Sequence, residues 1–417
     1  MIKEKYIENI KETSINIVQS NFESLRKKNI TKTGLRVYDQ GKLGIAGALG
    51  DYDEKELESK AKDNLILPYE FQVSKNLKLA EDHSKEILSD EKLCEEVEDI
   101  LEVCRKDYKD FGVYNKIKII NESMSLSNNE GLELLSKDSY LSCELMFSDK
   151  AIAGLEGFFW GFESRNYSRE NIIKEIDSIC GAYRNKLTMP EKKTMPVIFI
   201  DYEMLPLLKF YTDLNGVKFG SGTYIFSKEL NNRKFNEDFT LYATRNPEDV
   251  KTPFFDAEGV VNDNYRYALI ENGVIKSPYT DKRTANMFNL PLTGSAASAY
   301  DSAPNLAAPQ LKIKEGKNTL KELLGGEKAI LVVNAAGGDF TQEGNFATPV
   351  QVPILFDGEN MLGMLPKLQV SSNIYDMFGQ GFRGVSTDFI SPSGQYKALV
   401  MDMMVETIEE DKQVPGT

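Results

Sequence analysis

Leu187-Thr188-Met189-Pro190-Glu191-Lys192-Lys193-Thr194-Met195-Pro196 interrupts the chain near its middle. Two prolines and a charge run, with no hydrophobic period, read as a linker. A domain boundary is placed there. It gives an N-terminal domain of mixed helices and strands over residues 1–188 and a strand-rich C-terminal domain over 195–417. At ~150 residues per domain, a chain of 417 residues supports two or three domains.

Upstream of the linker, helical periods and strand-like runs are mixed. Ile7, Ile10, Ile17, Val18, Phe22 and Leu25 share one stripe at a 3.6-residue period, which predicts an amphipathic helix over the first segment. Residues 35–38 and 43–46 read as strands joined by an Asp39-Gln40-Gly41 hairpin turn. Residues 54–64 read as helix. A longer helix is predicted over 90–108, with Leu93, Val97, Ile100, Leu101, Cys104 and Tyr108 as its stripe. Cys104 is then a core residue and not a nucleophile. Residues 116–162 are strand-rich, broken at Asn128-Asn129-Glu130-Gly131. A third helix starts at Ser168, a good N-cap, and runs to about Tyr183. Tyr167 and Ile172 are placed to form its hydrophobic staple.

Downstream, a strand over 197–200 and a helix over 202–214 open the second domain. Glycines, short strands and turns dominate the rest. Residues 290–324 hold little regular pattern beyond a short helix near Leu320, and such stretches are more often functional or mobile than plain connections. Helices with strands, followed mostly by strands, argue for an α+β fold and against a doubly wound parallel sheet.

Hydrophobic residues make up 41% and charged residues 27%, the balance of a folded globular chain. A net charge of −14 repels phosphate backbones and disfavours nonspecific nucleic-acid binding. The strongest apolar runs, 197–200 and 329–333, fall far short of the ~20 residues that a membrane span needs. The first residues mix Lys3, Glu4, Lys5 and Glu8 without an apolar stretch, so no signal peptide is expected. Cys94, Cys104, Cys143 and Cys180 form no CxxC pair and fit free thiols in a reducing compartment. A cytoplasmic location is expected.

His83 is the one histidine. Zinc hydrolase sites commonly use two or three histidines, and serine or cysteine triads use one as base. His83 lies in the polar run Glu81-Asp82-His83-Ser84-Lys85 and reads as a solvated surface residue.

Three motifs remain. Phe219-Gly220-Ser221-Gly222-Thr223-Tyr224 lacks the third glycine of a dinucleotide loop and the Lys-Ser/Thr of a P-loop, and reads as a turn after a helix. Asp256 and Glu258 are expected on one strand face, where paired carboxylates would bind a metal or do acid/base work, or else form the solvated face of an edge strand. Gly337-Gly338-Asp339-Phe340 follows the buried-looking run 330–333. Its glycines allow close approach of another backbone, so a peptide docks there or the glycines only serve a turn. Gly337, Gly338, Asp339, Phe340, Asp256 and Glu258 are the candidate substrate-groove residues. No catalytic residue and no metal ligand is assigned.

Taken in order, several segments resemble the TldD/PmbA family, once described as modulators of DNA gyrase. They are Asp256-Ala257-Glu258-Gly259, Leu269-Ile270-Glu271-Asn272-Gly273-Val274, Thr293-Gly294-Ser295-Ala296, Pro304-Asn305-Leu306, Gly337-Gly338-Asp339-Phe340 and Ser372-Asn373-Ile374-Tyr375-Asp376-Met377-Phe378. The resemblance covers most of the chain and is looser in the first half. It implies one of two subunit types. TldD-like chains carry an HExxxH helix and a downstream cysteine that bind the catalytic metal; TldE/PmbA-like chains lack both and pair with TldD. Here the corresponding helix reads Leu207-Leu208-Lys209-Phe210-Tyr211-Thr212-Asp213-Leu214, and no cysteine follows Cys180. Lys209 places a cation near the metal position.

The resemblance therefore implies a non-catalytic subunit of a cytoplasmic zinc metallopeptidase acting on unfolded peptides, with zinc in a TldD-like partner and no cofactor in this chain. The alternative is an independent homodimeric protein that binds peptides or another ligand without cleaving them. A third reading, an enzyme built on Asp256, Glu258 and Asp339, requires perturbed carboxylates converging in one pocket.

Overall fold

The structure, a computed structural model, describes residues 1–152, 156–200, 204–391, 393–394 and 396–408. Residues 201–203 of the expected second-domain helix and 409–417 of the expected C-terminal domain lie outside these. The architecture is α+β and sheet-rich.

The first half is built on one long sheet. β1 (Ile2–Val18), β2 (Asn21–Asp39) and β3 (Lys42–Leu49) form a meander, followed by α1 (Glu54–Asp63), β4 (Leu67–Pro68), β5 (Leu77–His83) and α2 (Asp90–Asp107). β6 (Phe111–Asn128), β7 (Leu132–Asp149), β8 (Gly157–Ser164) and α3 (Arg169–Arg184) complete it. The strand order is β4-β3-β2-β1-β6-β7-β5, with β8 also on β7. Gln40 and Gly41 both take positive φ, 48° and 73°, as a two-residue hairpin loop between β2 and β3 requires.

The first segment is a strand and not the expected helix. β1 pairs with β2 on one side and β6 on the other, so that Glu8 faces both Lys32 and Met124. Its buried side chains are Glu4, Tyr6, Ser14, Ile15 and Ile17, which do not follow the helical stripe. Ile7, Ile10, Thr13, Ile15, Ile17 and Val18 are β-branched and suit a pleated sheet. The 3.6-residue spacing was coincidental, and partners far along the chain decided the outcome.

The other three helices expected in the first half, over 54–64, over 90–108 and from Ser168, all form. Ser168 accepts from the Asn171 N–H as the α3 N-cap, and Cys104 lies buried on α2. α2 and α3 cover one face of the sheet, packing on Ile15, Ile17, Ile117, Leu141, Cys143 and Leu145. The same cluster continues into Ile198, Leu331, Val352, Ile354 and Val400 of the second half. Residues 187–193 of the expected linker hold no helix or strand, whereas Thr194, Met195 and Pro196, assigned to the linker, already belong to the next strand.

The second half opens with β9 (Thr194–Ile200), α4 (Met204–Asp213) and α5 (Gly216–Gly220). A turn-rich stretch follows, with β10 (Leu241–Thr244), β11 (Arg266–Glu271), β12 (Val274–Ile275), α6 (Lys282–Phe288), β13 (Ala296–Ala297), β14 (Asn305–Leu306), β15 (Gln310–Ile313) and α7 (Leu320–Leu324). Then come β16 (Ala329–Ala335), β17 (Asp339–Phe340), β18 (Asn345–Phe356), β19 (Met361–Met364), β20 (Leu368–Asn373), α8 (Ile374–Met377), β21 (Phe382–Phe389) and β22 (Lys397–Thr407). Strands β16-β9-β22-β20-β18 close into a ring, because β16 also pairs with β18.

Two cores flank these strands, divided by alternation along β9 and β22. Ile198, Ala398, Val400, Val352 and Ile354 face α3 and α7. Met195, Val197, Phe199, Leu399, Met401 and Val350 join α4, α8 and an aromatic cluster. Phe210 of α4 is the centre of that cluster, with ring centroids 5.6 Å from Phe226, 5.5 Å from Phe235, 5.6 Å from Phe239 and 5.0 Å from Phe378. No helix among the described residues is long and apolar enough to cross a membrane.

Phe210→Ala should cost about 3–5 kcal/mol. The readout is a lower midpoint of urea unfolding at unchanged slope. A loss below about 1 kcal/mol would show that the cluster does not anchor α4.

Candidate functional site

The structure places the six candidate residues in two separate settings. Gly337 and Gly338, with φ of 79° and 135°, interrupt the arm that pairs with β18: β16 pairs as far as Ala335 with Val350, and β17 resumes in the same direction at Asp339 with Ala347. A Cβ at Gly338 would lie 2.7 Å from the Thr348 Cβ, and the Thr348 hydroxyl donates to the Gly337 carbonyl. These glycines lie in the break of that arm, packed on β18. Asp339 is exposed, and its side chain accepts from the Phe340 N–H at 2.7 Å. Phe340 packs on Phe346 with ring centroids 4.7 Å apart.

β17 borders a cleft of about 800 Å³. The cleft's floor is the exposed face of β18, β20, β22 and β9, where the register sets Asn345 opposite Asn373, Ser371 opposite Met404, and Met404 opposite Thr194. Asp339, Asp376 and Asp402 contribute carboxylates, the last bonded to Arg383 at 3.0 Å. The lining offers amides, hydroxyls and carboxylates but no imidazole or thiol. It is suited to hydrogen-bonding a polar chain. Among the described residues β17 pairs with no strand but β18, which leaves its other edge unpaired.

Asp256 and Glu258 lie elsewhere, in a turn and not on a strand, and both are buried. Asp256 is satisfied by backbone: Oδ1 accepts from the N–H groups of Glu258 and Val260 at 2.9 Å, and Oδ2 from Ala296 at 3.0 Å. Burial pushes its pKa up, opposed chiefly by Arg245. Glu258 accepts from the Tyr69 hydroxyl at 3.1 Å and from the backbone N–H of Lys282, at the start of α6, at 2.9 Å. Burial, and then the neighbouring Asp256 charge, push Glu258 up to about 7. Neither carboxylate shares a partner with the 337–340 turn.

This second setting contains residues that the sequence reading missed. Arg36, fully buried, donates to Glu4 Oε1 at 3.1 Å, to the Ala257 carbonyl at 2.6 Å and to Ser298 Oγ at 2.6 Å. Tyr38 donates to the same Glu4 oxygen at 2.9 Å. Lys282 donates to Ser74 Oγ at 3.0 Å and to the Glu258 carbonyl at 3.1 Å. The network binds the first sheet to the 256–298 loops. Its one sequence signal was an arginine inside the apolar run Leu35-Arg36-Val37-Tyr38.

α4 is the helix that the resemblance aligns with the metal-binding helix. Lys209 and Asp213 form an ion pair on it, 3.2 Å apart, with side chains 7% and 0% exposed. The Lys209 ammonium also donates to the Gln342 carbonyl at 3.1 Å. An ammonium in that position offers no lone pair, so these residues do not fit zinc. No group of three or more His, Cys, Asp or Glu side chains among the described residues is arranged to hold a metal. His83 sits half-buried on β5 of the first sheet, 3.6 Å from Glu81. Ser221 caps the end of α5 and donates to the Lys218 carbonyl at 2.6 Å.

Two outcomes follow. The folded Glu258 holds its proton more tightly than the unfolded chain, because its pKa is raised from 4.5 to about 7. Stability from this group is therefore full below about 4.5 and is lost as pH rises through about 7. Glu122, pushed up to about 7 by burial and by Asp138, acts in the same window. Glu258→Gln should shrink the fall in unfolding free energy between about pH 5 and pH 8 by up to ~3 kcal/mol; an unchanged pH profile refutes the assignment. Gly338→Ala should destabilise by about 1–3 kcal/mol, since a φ of 135° is open to glycine alone. Thermal unfolding at full stability in that variant would count against this close packing on Thr348.

A family model described as the PmbA/TldA metallopeptidase C-terminal domain matches residues 192–407. An uncharacterized protein of Methanocaldococcus jannaschii is 22% identical over 419 aligned positions, covering 94% of each chain. A zinc metalloprotease TldD homolog of Saccharolobus solfataricus is 26% identical over 179 positions, 40% of each chain. Among solved structures, TldE from Thermococcus kodakarensis superposes with a TM-score of 0.79 at 19% identity, covering 98% of this chain and 97% of its own. A candidate modulator of a DNA gyrase from Thermotoga maritima gives 0.73 at 16% identity, with coverage of 97% and 96%. These structural likenesses speak for the fold. The matched domain spans more than half of the sequence, and on that ground the chain belongs to the PmbA/TldD metallopeptidase family, in a form whose α4 carries no HExxxH.

Proposed function

We propose that this chain is the non-catalytic subunit of a cytoplasmic zinc metallopeptidase. It pairs with a TldD-like chain that carries HExxxH and zinc, and it holds unfolded peptides in extended form. One observation carries the reading: the helix aligned with the metal site is kept, but a buried Lys209–Asp213 ion pair stands on it. Shape is retained where local metal chemistry is not. The similarity to a zinc metalloprotease TldD homolog and to TldE supports the same reading.

The cleft beside β17 suits an extended peptide. The edge of β17 away from β18 carries no strand partner among the described residues, and strand addition there would bind without demanding a sequence. The polar floor around Asn345, Ser371 and Asn373 adds side-chain partners. This chain then contributes walls and orientation. Orientation matters, since effective molarities reach ~10⁵ M or more for well-held reactants.

Purified alone, the chain should leave unstructured peptides intact; mixed with a TldD-like partner it should support chelator-sensitive cleavage. A digest with each subunit alone and with both decides the matter. Chelator-sensitive cleavage by this chain alone would overturn the proposal, as would full activity of the partner without it. Peptide binding by a homodimer, with no activity in any mixture, would favour an independent binding protein.

A further inference from the structure

We propose that Lys209 and Asp213 are positioning residues, a buried charge latch by which α4 holds the turn between β17 and β18 and so fixes the rim of the cleft. The link to peptide binding rests on the function proposed above; the mechanical role does not.

Leu207 and Phe210 join α4 to the aromatic core. Lys209 and Asp213, one helical turn apart, are also buried. Removing an ammonium and a carboxylate from water is costly unless their partners are well placed. Lys209 meets two acceptors here, Asp213 on its own helix and the Gln342 carbonyl across the gap. Gln342 sits in the loop that joins β17 to β18.

That loop already closes its own hydrogen bonds. Thr341 N–H donates to the Asn345 carbonyl at 2.8 Å and Gly344 N–H to the Thr341 carbonyl at 3.0 Å, while the Gly344 carbonyl accepts from Ile374 at 2.8 Å. The Gln342 carbonyl takes no part in these and is engaged by α4. The ammonium therefore tethers a loop that packing alone leaves exposed at Thr341, Gln342 and Glu343. Asp213 neutralises the cation at a distance from the cleft. Its role is to keep Lys209 extended and available to the turn.

The test separates tethering from packing. Replacing both charges together, Lys209→Met with Asp213→Leu, removes the tether and leaves no lone buried charge, so the melting temperature should stay close to that of the unaltered chain. Hydrogen exchange at Gly344 and Asn345 should then rise about tenfold or more, while β9 and β22 amides stay unchanged. Affinity for an unstructured peptide should fall about tenfold. Unchanged exchange at the turn in a folded double variant would overturn the latch. If that variant does not fold, the unaltered chain decides: the Gly344 and Asn345 amides should exchange no more than about tenfold faster than those of β20, and rates about a hundredfold faster would overturn it. Exchange is read without peptide. An unaltered chain that binds no extended peptide therefore defeats the peptide-binding reading and leaves the latch standing.

Discussion

A guanidinium taken wholly out of water must find its acceptors inside the protein, and Arg36 finds them in both halves of the chain. The cost of burying such a charge is several kcal/mol before its partners are counted. Glu4 supplies the counter-charge from the neighbouring strand, and the Ala257 carbonyl and Ser298 hydroxyl come from the second half. The 256–259 turn is thereby held against the first sheet. Asp256 organises that turn through three backbone N–H groups, and Glu258 reaches from it to Tyr69 and to the start of α6. Close approach on this face is visible in Gly34, where a Cβ would fall 1.9 Å from the Tyr300 carbonyl. Asp256 and Glu258 fasten two parts of the fold to each other.

The apolar counterpart lies on the opposite face of the sheet. α2 and α3 fill the space above Ile117, Leu141 and Leu145, and α3 also meets strands of the closed ring through the core that contains Val352, Ile354 and Val400. The ring's other side belongs to α4 and its phenylalanines. β9, β16 and β22 thus serve two cores by alternation, whereas β20 gives its buried side chains, Leu368 and Val370, to one. The side chains left over, among them Asn345, Ser371, Asn373 and Met404, form the floor of the cleft.

α4 links the two themes. Its aromatic stripe is ordinary packing, whereas its Lys209–Asp213 pair spends hydration energy in a place where an apolar pair would suffice for stability. Such a pair is explained by what it touches, and Lys209 touches the turn beside the cleft.

Local signals were enough for much of this. The stripe of α2, the Ser168 cap of α3, the Asp39-Gln40-Gly41 turn and the α+β character all depend on contacts within a few residues, which a sequence displays directly. So does the absence of HExxxH, since it is a matter of residue identity. β1 was misread because its partners, Thr33 and Ser125 opposite Ile7, lie far along the chain and leave no trace in local periodicity. Asp256 and Glu258 were misplaced for a related reason. Their spacing of two residues is shared by strands and turns, and only the folded chain brings Ala296, Tyr69 and Lys282 to their oxygens. Tertiary structure alone determined which charges were buried, because burial depends on what packs above a side chain, and that comes from segments hundreds of residues away.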